Sequence, residues 1–421
     1  MATRVRGLGW RAPGRRLRGI PAAALAVALA AGCGAASADQ GQGPASPAHP
    51  GGKATVVAGP AAPARPAAPA PASCAATVFN RMTEAQRVGQ LFLVGLAGDR
   101  LDRATAAAVT AHHFGSVLFG TTSHAGLAGT RAVTKAVQSL ASSQATAGVR
   151  FFVAANQEGG QVQQLQGAGF AAMPAALDQG QVTPGTLQQL AASWGRQLRA
   201  AGVNLDLAPV MDVVPAGTDR QNAPIGLLQR EFGHDPGPVA AHGVAFARGM
   251  GQAGVATTAK HFPGLGRVRG NTDFTSGVVD TVTTPQDSYL QSFRAAIGAG
   301  VPFVMISLAT YTRIDPHHLA VFSARVMGTI LRQQLRFGGV IVSDDMGAAS
   351  AVGGVSPAAR AIGFLGAGGD LITTVTVPAA NAMDSAVLQR AAQDGTFRGQ
   401  VNAAVMHVLA AKQAYGLLPC R

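Results

Sequence analysis

A loop rich in charged and glycine residues follows a strand-like segment in the second half of the chain. It reads KHFPGLGRVRGNTD over residues 260–273, directly after the apolar run Val255–Ala259. Proline and glycine allow sharp backbone turns, and they space Lys260, His261 and Asp273 along one loop at the end of a strand. Side chains of these types can hold a polar ligand and move a proton. The alternative is a Gly-rich surface turn without chemistry.

A second acidic site lies farther along the chain, in the segment VIVSDDM at residues 340–346. It places Asp344 and Asp345 at the end of another strand-like run. Adjacent strand residues point to opposite faces, so only one of these carboxylates can meet a substrate. We expect Asp344 to react and Asp345 to support it.

Two further strand-like runs also end in polar residues. One ends in NQEGG, which contains Asn156 and Glu158, and the other ends at Asp212 before a long loop to Arg230. A solvated loop or an ion pair at the rim of the fold explains each of these alone. Their convergence with the two acidic sites favours one shared functional site.

Eight β-rich runs, each followed by a helical pattern, indicate the elements that must position these residues. The runs are Leu91–Gly95, Val117–Gly120, Phe151–Gln157, Val203–Val213, Val255–His261, Pro302–Leu308, Val340–Asp344 and Asp370–Thr374. The helical spacing of apolar residues is plainest over Leu187–Ala201, Pro238–Gln252, Asp287–Ala299 and Ala324–Phe337. Eight βα units predict an α/β fold of the (β/α)8 TIM-like barrel type with a single catalytic domain. A doubly wound open sheet is the alternative, but no GxGxxG follows the first run.

Composition and charge limit the class of protein. The chain has 421 residues, of which 48% are hydrophobic and 13% charged, and this suits a large globular domain. Its net charge of +13 falls to +7 without the six arginines of the first 32 residues, which contain no acid. Because no basic block carries interleaved aromatic residues, we predict no nucleic-acid partner. We expect a monomer.

The N-terminus has the pattern of an export signal. Residues 1–33 contain a basic segment, an apolar run from Ile20 to Ala31, and then Gly32-Cys33. This ending resembles a bacterial lipobox, so we expect Cys33 to be lipidated and the protein to be a membrane-anchored lipoprotein facing the cell wall. The alternative is ordinary signal cleavage, which would give a secreted protein.

The residues that follow predict a tether and a folded region of 74–421. Residues 34–73 are rich in Ala, Pro and Gly and cannot bury a core, which indicates a disordered linker. Cys74 and Cys420 bracket the folded region almost end to end, and in an exported protein such a pair suggests a disulfide. Two free thiols are the alternative.

Five motifs in a fixed order carry a resemblance to a known family. The motifs NQEGG, APVMDV, REFGHDP, KHFPGLG and VIVSDDM lie between about Arg81 and Gly369. Together they resemble the N-terminal barrel of glycoside hydrolase family 3, and within it the single-domain bacterial β-N-acetylglucosaminidases. The resemblance implies that Asp344 is the catalytic nucleophile. It also implies that the sugar-binding residues are Asn156, Glu158, Arg230, Lys260 and His261.

Two positions depart from the family pattern. Asn156 stands where family members usually carry Asp. The family loop usually contains an Asp-Ser-His whose His is the general acid/base, and an ungapped count places Asn271-Thr272-Asp273 there. A carboxylic acid with a raised pKa can also donate the proton, so Asp273 becomes the candidate acid.

The candidate acid has competitors. Arg267 and Arg269 lie near Asp273 in sequence and would favour its charged form. The loop could therefore bind rather than protonate, and Asp280 or a substrate-assisted route is next in line as the proton source.

The expected protein is an exported, retaining β-N-acetylhexosaminidase acting on N-acetylglucosamine-containing, peptidoglycan-derived glycans. A glycan-binding or phosphorolytic lipoprotein on the same barrel is the alternative. Because the histidines lack ligand spacing such as HExxH, no metal or cofactor is predicted.

Overall fold

Eight parallel strands form the centre of the computed structural model, which describes residues 73–420. They are β1 Phe92–Leu96, β2 Ser116–Phe119, β3 Phe152–Ala155, β4 Leu205–Asp206, β5 Ala256–Phe262, β6 Phe303–Ile306, β7 Val340–Ser343 and β8 Ile372–Thr374. Each of them overlaps a run predicted from the sequence. The strands are buried along their length, because side chains fill the barrel inside and helices cover it outside.

The strands close into a barrel in sequence order. Neighbouring strands pair in parallel from β1 to β7, and β1 also pairs with β8. A parallel bridge between Val342 and Leu371 joins β7 to the segment that leads into β8. The (β/α)8 prediction is thereby confirmed, and the open-sheet alternative is excluded.

The fourth strand is much shorter than its predicted run, Val203–Val213. Only two residues pair as a strand, and an isolated bridge between Val210 and Lys260 follows. Pro209 interrupts the pairing since it has no backbone N–H to donate. The freed segment turns its polar end toward the middle of the barrel mouth.

Twelve α-helices surround the barrel in the described residues. They are α1 Cys74–Arg81, α2 Glu84–Gly89, α3 Arg103–Ala111, α4 Gly126–Ser139, α5 Ser143–Thr146, α6 Ala176–Gln179, α7 Pro184–Ala200, α8 Pro236–Gln252, α9 Leu290–Gly298, α10 Pro357–Gly366, α11 Val377–Gln393 and α12 Gly395–Ala414. Short 3-10 helices occur at Asp219–Gln221, Gly226–Leu228, Ala320–Phe322 and Ser350–Val352.

One predicted α-helix is a wider, π-type helix, Arg325–Gln334. Its buried residues Val326, Met327, Ile330 and Leu331 are three to four positions apart, and this spacing serves either kind of helix. The apolar pattern therefore located the helix without distinguishing its width.

Two small sheets lie in the loops at the barrel mouth. Strands Gln157–Gly159 and Val162–Gln163 form a hairpin after β3. Strands Val279–Asp280, Thr310–Tyr311 and Asp315–Leu319 form a three-stranded sheet that joins the loops after β5 and β6.

The two ends of the described chain meet at the opposite side of the barrel, where the strands begin. Near the end of α12, Lys412 donates from its buried Nζ to the carbonyl of Gly115, just before β2. Leu417 accepts from the backbone N–H of Arg150, just before β3. The Cα atoms of Cys74 and Cys420 are 6.0 Å apart, and the structure joins these cysteines by the expected disulfide.

Loss of this disulfide is expected to lower the free energy of unfolding by roughly 3 to 5 kcal/mol, because the bond closes a loop of nearly the whole domain. Thermal unfolding of a Cys74→Ser, Cys420→Ser double variant should show the loss. Peptide mapping without reductant should recover the two cysteine-containing peptides as one linked species. Alkylation of both thiols in the untreated protein would contradict the expectation.

The predicted export segment 1–33, with Cys33, and residues 34–72 of the predicted linker lie outside the described residues. Ser73 caps α1, where its side chain accepts from the N–H of Ala76. Over residues 73–420, none of the helices has the length and apolar character needed to cross a bilayer.

Candidate active site

A cavity of about 510 Å³ opens at the end of the barrel where the strands finish. This volume suits a small ligand such as one sugar ring with substituents. Seven of the residues predicted from the sequence line it: Asn156, Arg230, Lys260, His261, Asp273, Asp344 and the supporting Asp345. The barrel therefore brings together side chains from the ends of β3, β5 and β7 and from the loops after β4 and β5.

Lys260 lies at the floor of the cavity, near the end of β5. Its Nζ donates to Asn156 Oδ1 at 2.7 Å and lies 2.6 Å from Glu158 Oε1. The lysine is 2% exposed, so a buried charge is held between an amide and a carboxylate. Asn156 thus keeps a hydrogen-bonding role although it carries no charge.

Glu158 lies behind the cavity wall instead of among the residues that line it. Its carboxylate accepts two hydrogen bonds from Arg230, from Nε and Nη2, each of 2.8 Å. Burial alone would raise the pKa of Glu158, but the charges of Arg230 and Lys260 outweigh it and lower that pKa to about 2. Glu158 is therefore placed to position the two cations that face the cavity, not to touch a ligand itself.

His261 is held in place by Asp212 at the end of the β4 segment. The His261 Nδ1 atom lies 2.7 Å from Asp212 Oδ2, and Asp212 Oδ1 accepts from the backbone N–H groups of His261 and Leu265. A carboxylate partner at Nδ1 assigns an N–H to that nitrogen. The Nε2 atom lies 3.5 Å from Arg230 Nη2 at the cavity wall.

The loop after β5 packs closely on the segment after β4. A side chain at Gly266 would collide with the carbonyl of Val213. Asn222 donates from Nδ2 to the carbonyls of Leu265 and Val268, each at 2.7 Å. The absent side chain and these two bonds fix the course of the KHFPGLG loop across the barrel mouth.

The neighbouring carboxylates at the end of β7 have different surroundings. Asp344 lines the cavity and accepts one local hydrogen bond, from the N–H of Asp345. Asp345 accepts from the backbone N–H groups of Gly347, Ala348 and Val375, at 2.8, 2.9 and 3.0 Å. Asp344 is the one with free acceptor capacity, and Asp345 anchors the turn that carries it.

Asp273 lies on a tight turn that docks against the loop after β7. The carbonyls of Thr272 and Asp273 accept from the backbone N–H groups of Ala351 and Ser350, at 3.1 and 3.0 Å. This docking brings the Asp273 loop to the same cavity as Asp344. Next to it, Phe274 is 81% exposed at the rim of the cavity. Such an apolar ring beside a polar cavity was not singled out from the sequence.

The surroundings of Asp273 favour its protonated form. The protein atoms around the carboxyl group and the negative charge of Asp344 raise the pKa of Asp273 to about 6, against the opposing influence of His261 and Arg230. Solvent still reaches this side chain at the rim. A carboxyl group with this pKa carries a proton in about half of the molecules at pH 6 and in about a tenth of them at pH 7.

The expectation that Arg267 and Arg269 would keep Asp273 charged is wrong. Arg267 pairs with Asp287 at 2.6 Å and its guanidinium lies over the ring of Tyr289. Arg269 reaches Gln221. Both arginines are held elsewhere by partners distant in sequence, which a linear count along the loop cannot reveal.

The structure also removes one of the alternative acids. Asp280 is buried outside the cavity lining, and its carboxylate accepts from the backbone N–H groups of Val282 and Thr283 and from the Thr283 hydroxyl. It is committed to a turn and cannot reach a ligand in the cavity.

One buried acid beneath the site was missed in the sequence. Asp206, at the end of β4, accepts from the N–H of Gln157, while its Oδ2 has no partner. Burial raises the pKa of Asp206 well above its usual range. The signal was present as an acid inside the run Val203–Val213, six residues before Asp212.

A group of three side chains suited to a cation lies outside the cavity lining. In the described part of the chain, one group of possible metal-ligand atoms was found. It belongs to Asp219, Glu231 and His234. Sequence spacing did not predict a metal site.

Comparisons with known proteins agree with this geometry. The profile of the Glycosyl hydrolase family 3 N terminal domain matches residues 83–411. A beta-hexosaminidase of Stenotrophomonas maltophilia (strain K279a) is 37% identical over 235 residues, covering 52% of this chain and 65% of the relative, so slightly less than two thirds of that protein is spanned. A beta-hexosaminidase of Xylella fastidiosa (strain M23) is 35% identical over 264 residues, covering 60% of this chain and 76% of the relative. Among solved structures, beta-N-acetylhexosaminidase from Beutenbergia cavernae DSM 12333 is 48% identical, with a TM-score of 0.78, over 79% of this chain and 99% of that one.

Proposed function

The chain belongs to glycosyl hydrolase family 3, and from this premise we propose that it is an exported, retaining β-N-acetylhexosaminidase. Its proposed substrate is terminal N-acetylglucosamine on cell-wall glycans such as peptidoglycan fragments. Similarity to proteins named for hexosaminidase activity supports the sugar class. The N-terminal sequence supports export, with attachment to the membrane through Cys33.

The observation that carries the proposal is the presence of two unlike carboxyl groups in one cavity. Asp344 has free acceptor capacity and lines the same cavity as Arg230. Asp273 has a pKa raised to about 6 by its crowded position and by Asp344. A retaining glycosidase requires this division between an ionised nucleophile and a protonated acid.

In the first step, a carboxylate oxygen of Asp344 attacks the anomeric carbon. The bond from that carbon to the leaving oxygen breaks, and the proton of Asp273 passes to the leaving oxygen. The product is a glycosyl ester on Asp344 and an ionised Asp273.

In the second step, Asp273 acts as the base. It removes a proton from a water molecule, whose oxygen attacks the anomeric carbon and breaks the ester bond to Asp344. Both carboxyl groups return to their starting protonation states, and the sugar keeps its original anomeric configuration.

The remaining polar residues hold the sugar in place for these steps. Lys260 and Arg230 face the cavity and share Glu158 behind it, so their donors are fixed before a ligand arrives. His261, oriented by Asp212, lines the same cavity. Donors held in advance lower the cost of ordering the site in the transition state.

A comparison of two aryl glycosides tests the proposal. With the full chain, we expect kcat/KM for 4-nitrophenyl N-acetyl-β-glucosaminide to exceed that for the matching β-glucoside by about 10²-fold or more, because a site that contacts the acetamido group rejects a sugar without it. Release of nitrophenol measures both rates. Equal rates, or a preference for the glucoside, would contradict the assigned sugar.

The same assay separates the alternative functions. A phosphorolytic enzyme would require inorganic phosphate and release a sugar 1-phosphate. A glycan-binding protein would bind an N-acetylglucosamine disaccharide saturably without turning over either aryl glycoside.

A further inference from the structure

Three side chains behind the sugar-binding arginine form a cluster that the proposed reaction does not use. Asp219 lies in a 3-10 helix of the loop after β4, and Glu231 and His234 lie where that loop ends. Their possible ligand atoms lie within 4.8 Å of one another. Glu231 and His234 are separated by two residues in the segment REFGH, whereas only the fold brings Asp219 next to them.

Glu231 is the unusual member of the cluster. It is completely buried, and neither of its carboxylate oxygens has a hydrogen-bond partner. Among the described residues, the Oδ1 atom of Asp219 also lacks a hydrogen-bond partner. His234 Nδ1 lies 3.5 Å from it and 3.2 Å from the carbonyl oxygen of Val214, so an ion bound through this nitrogen would replace the hydrogen bond to Val214. A buried carboxylate without a partner is costly in free energy, and two such groups facing one another repel.

Something positively charged is needed between these carboxylates. A shared proton would supply one charge. A divalent cation would supply two and would also satisfy the open acceptor sites of both carboxylates.

We propose that Asp219, Glu231 and His234 bind a divalent transition-metal ion, for which Zn²⁺ fits the ligand chemistry. Zn²⁺ accepts imidazole nitrogen and carboxylate oxygen together, whereas Ca²⁺ and Mg²⁺ require oxygen ligands. Three protein ligands leave a fourth position for water. The side chains of Asp219 and His234 are each 33% exposed, so an ion can enter from solvent although Glu231 is buried.

The ion would fasten the middle of the loop after β4, at Asp219, to the end of that loop, at Glu231 and His234. That loop carries Arg230, which lines the sugar cavity and is the residue before Glu231. None of the three ligands lines the cavity, so the site is structural: it positions the loop and takes no part in bond cleavage. Asn222, three residues after Asp219, already ties this part of the loop to Leu265 and Val268, and the ion would tie it to the end of the loop as well.

Calorimetric titration of the full chain with ZnCl₂, after treatment with a chelator and its removal, tests the site. We expect one Zn²⁺ per chain and a rise in the thermal unfolding temperature. Glu231→Gln and His234→Gln should each weaken binding at least about tenfold, since each removes one ligand. CaCl₂ should produce neither the binding heat nor the stabilisation.

A matched control is available at another histidine–aspartate pair. His318 lies 3.1 Å from Asp315 on the surface, with no third acid or histidine grouped with them, and His318→Gln should leave Zn²⁺ binding unchanged. His234 is partly exposed, so its variant keeps the test valid if Glu231→Gln fails to fold.

Three results would overturn the site. The first is that the wild-type chain binds no Zn²⁺. The second is that binding persists in both ligand variants, which would place the ion elsewhere, such as in the sugar cavity. The third is that the wild type binds no Zn²⁺ and Glu231→Gln raises the unfolding temperature, which would indicate a shared proton between the carboxylates. Because the experiment measures Zn²⁺ binding, its result is independent of whether the protein has hexosaminidase activity.

Discussion

Replacement of Asp344 by Asn is expected to reduce kcat on the order of 10⁴-fold or more while leaving the fold intact. The amide cannot form the glycosyl ester, so both chemical steps lose their route. The side chain accepts one local hydrogen bond, from the N–H of Asp345, and an amide oxygen can keep it. Steady-state rates with the aryl N-acetylglucosaminide measure the loss, and thermal unfolding checks the fold.

The adjacent residue supplies the control for this experiment. Asp345 accepts three backbone N–H bonds, and Asp345→Asn would turn an amide NH₂ toward at least one of them. We therefore expect that variant to lose mainly thermal stability, with a smaller loss of turnover. Near-normal turnover in folded Asp344→Asn would show that the nucleophile is another group.

Replacement of Asp273 by Asn is expected to have the second-largest effect, and the effect should depend on the leaving group. Natural disaccharides need a proton on the leaving oxygen, so their kcat/KM should fall about 10² to 10⁴-fold. Aryl glycosides with good leaving groups need little protonation, so their kcat/KM should change by less than about tenfold. Their glycosyl ester should accumulate because the second step lacks its base, and mass spectrometry of the intact protein would detect it.

The pH profile provides an independent check of the same residue. As an acid, Asp273 acts only while protonated, and its pKa is raised to about 6. For the disaccharide, kcat/KM of the wild-type enzyme should therefore fall as the pH rises above about 6. The Asn variant should lack that descending limb. A limb that survives the substitution would assign the proton to a different donor.

Lys260→Ala separates acid catalysis from binding within the same loop. A contact to a sugar hydroxyl does not depend on the leaving group, so this variant should weaken kcat/KM for disaccharides and aryl glycosides alike. If Asp273→Asn behaves in this uniform way, Asp273 binds sugar and a substrate-assisted route becomes the explanation.

Much of the barrel was predictable because its strands are local features of the sequence. A buried parallel strand is a short apolar run, and a polar residue at its end points to the barrel mouth, as at Lys260 and Asp344. The break in the fourth strand was not predicted, although Pro209 inside the run Val203–Val213 lacks the backbone N–H that strand pairing needs. The π-type helix could not be distinguished, since its apolar spacing also fits an α-helix.

The partners of individual side chains were less predictable. Glu158 belongs to a motif that is typical of sugar-binding residues, yet it pairs with Arg230 and Lys260 behind the cavity wall. Asp287 and Tyr289 hold Arg267 away from Asp273. Each outcome depends on residues brought together by the fold, and neighbours in sequence do not reveal them.

The two ends of the described chain meet on the far side of the barrel, and this decides where the protein can be immobilised, labelled or fused. Cys74 and Cys420 have Cα atoms 6.0 Å apart, and the α12 end contacts the segments that precede β2 and β3. A resin, a fluorescent label or a fused protein attached at residue 420 would therefore leave the sugar cavity open. The same proximity favours circular permutation, in which a short peptide replaces the disulfide and new ends are cut in a surface loop.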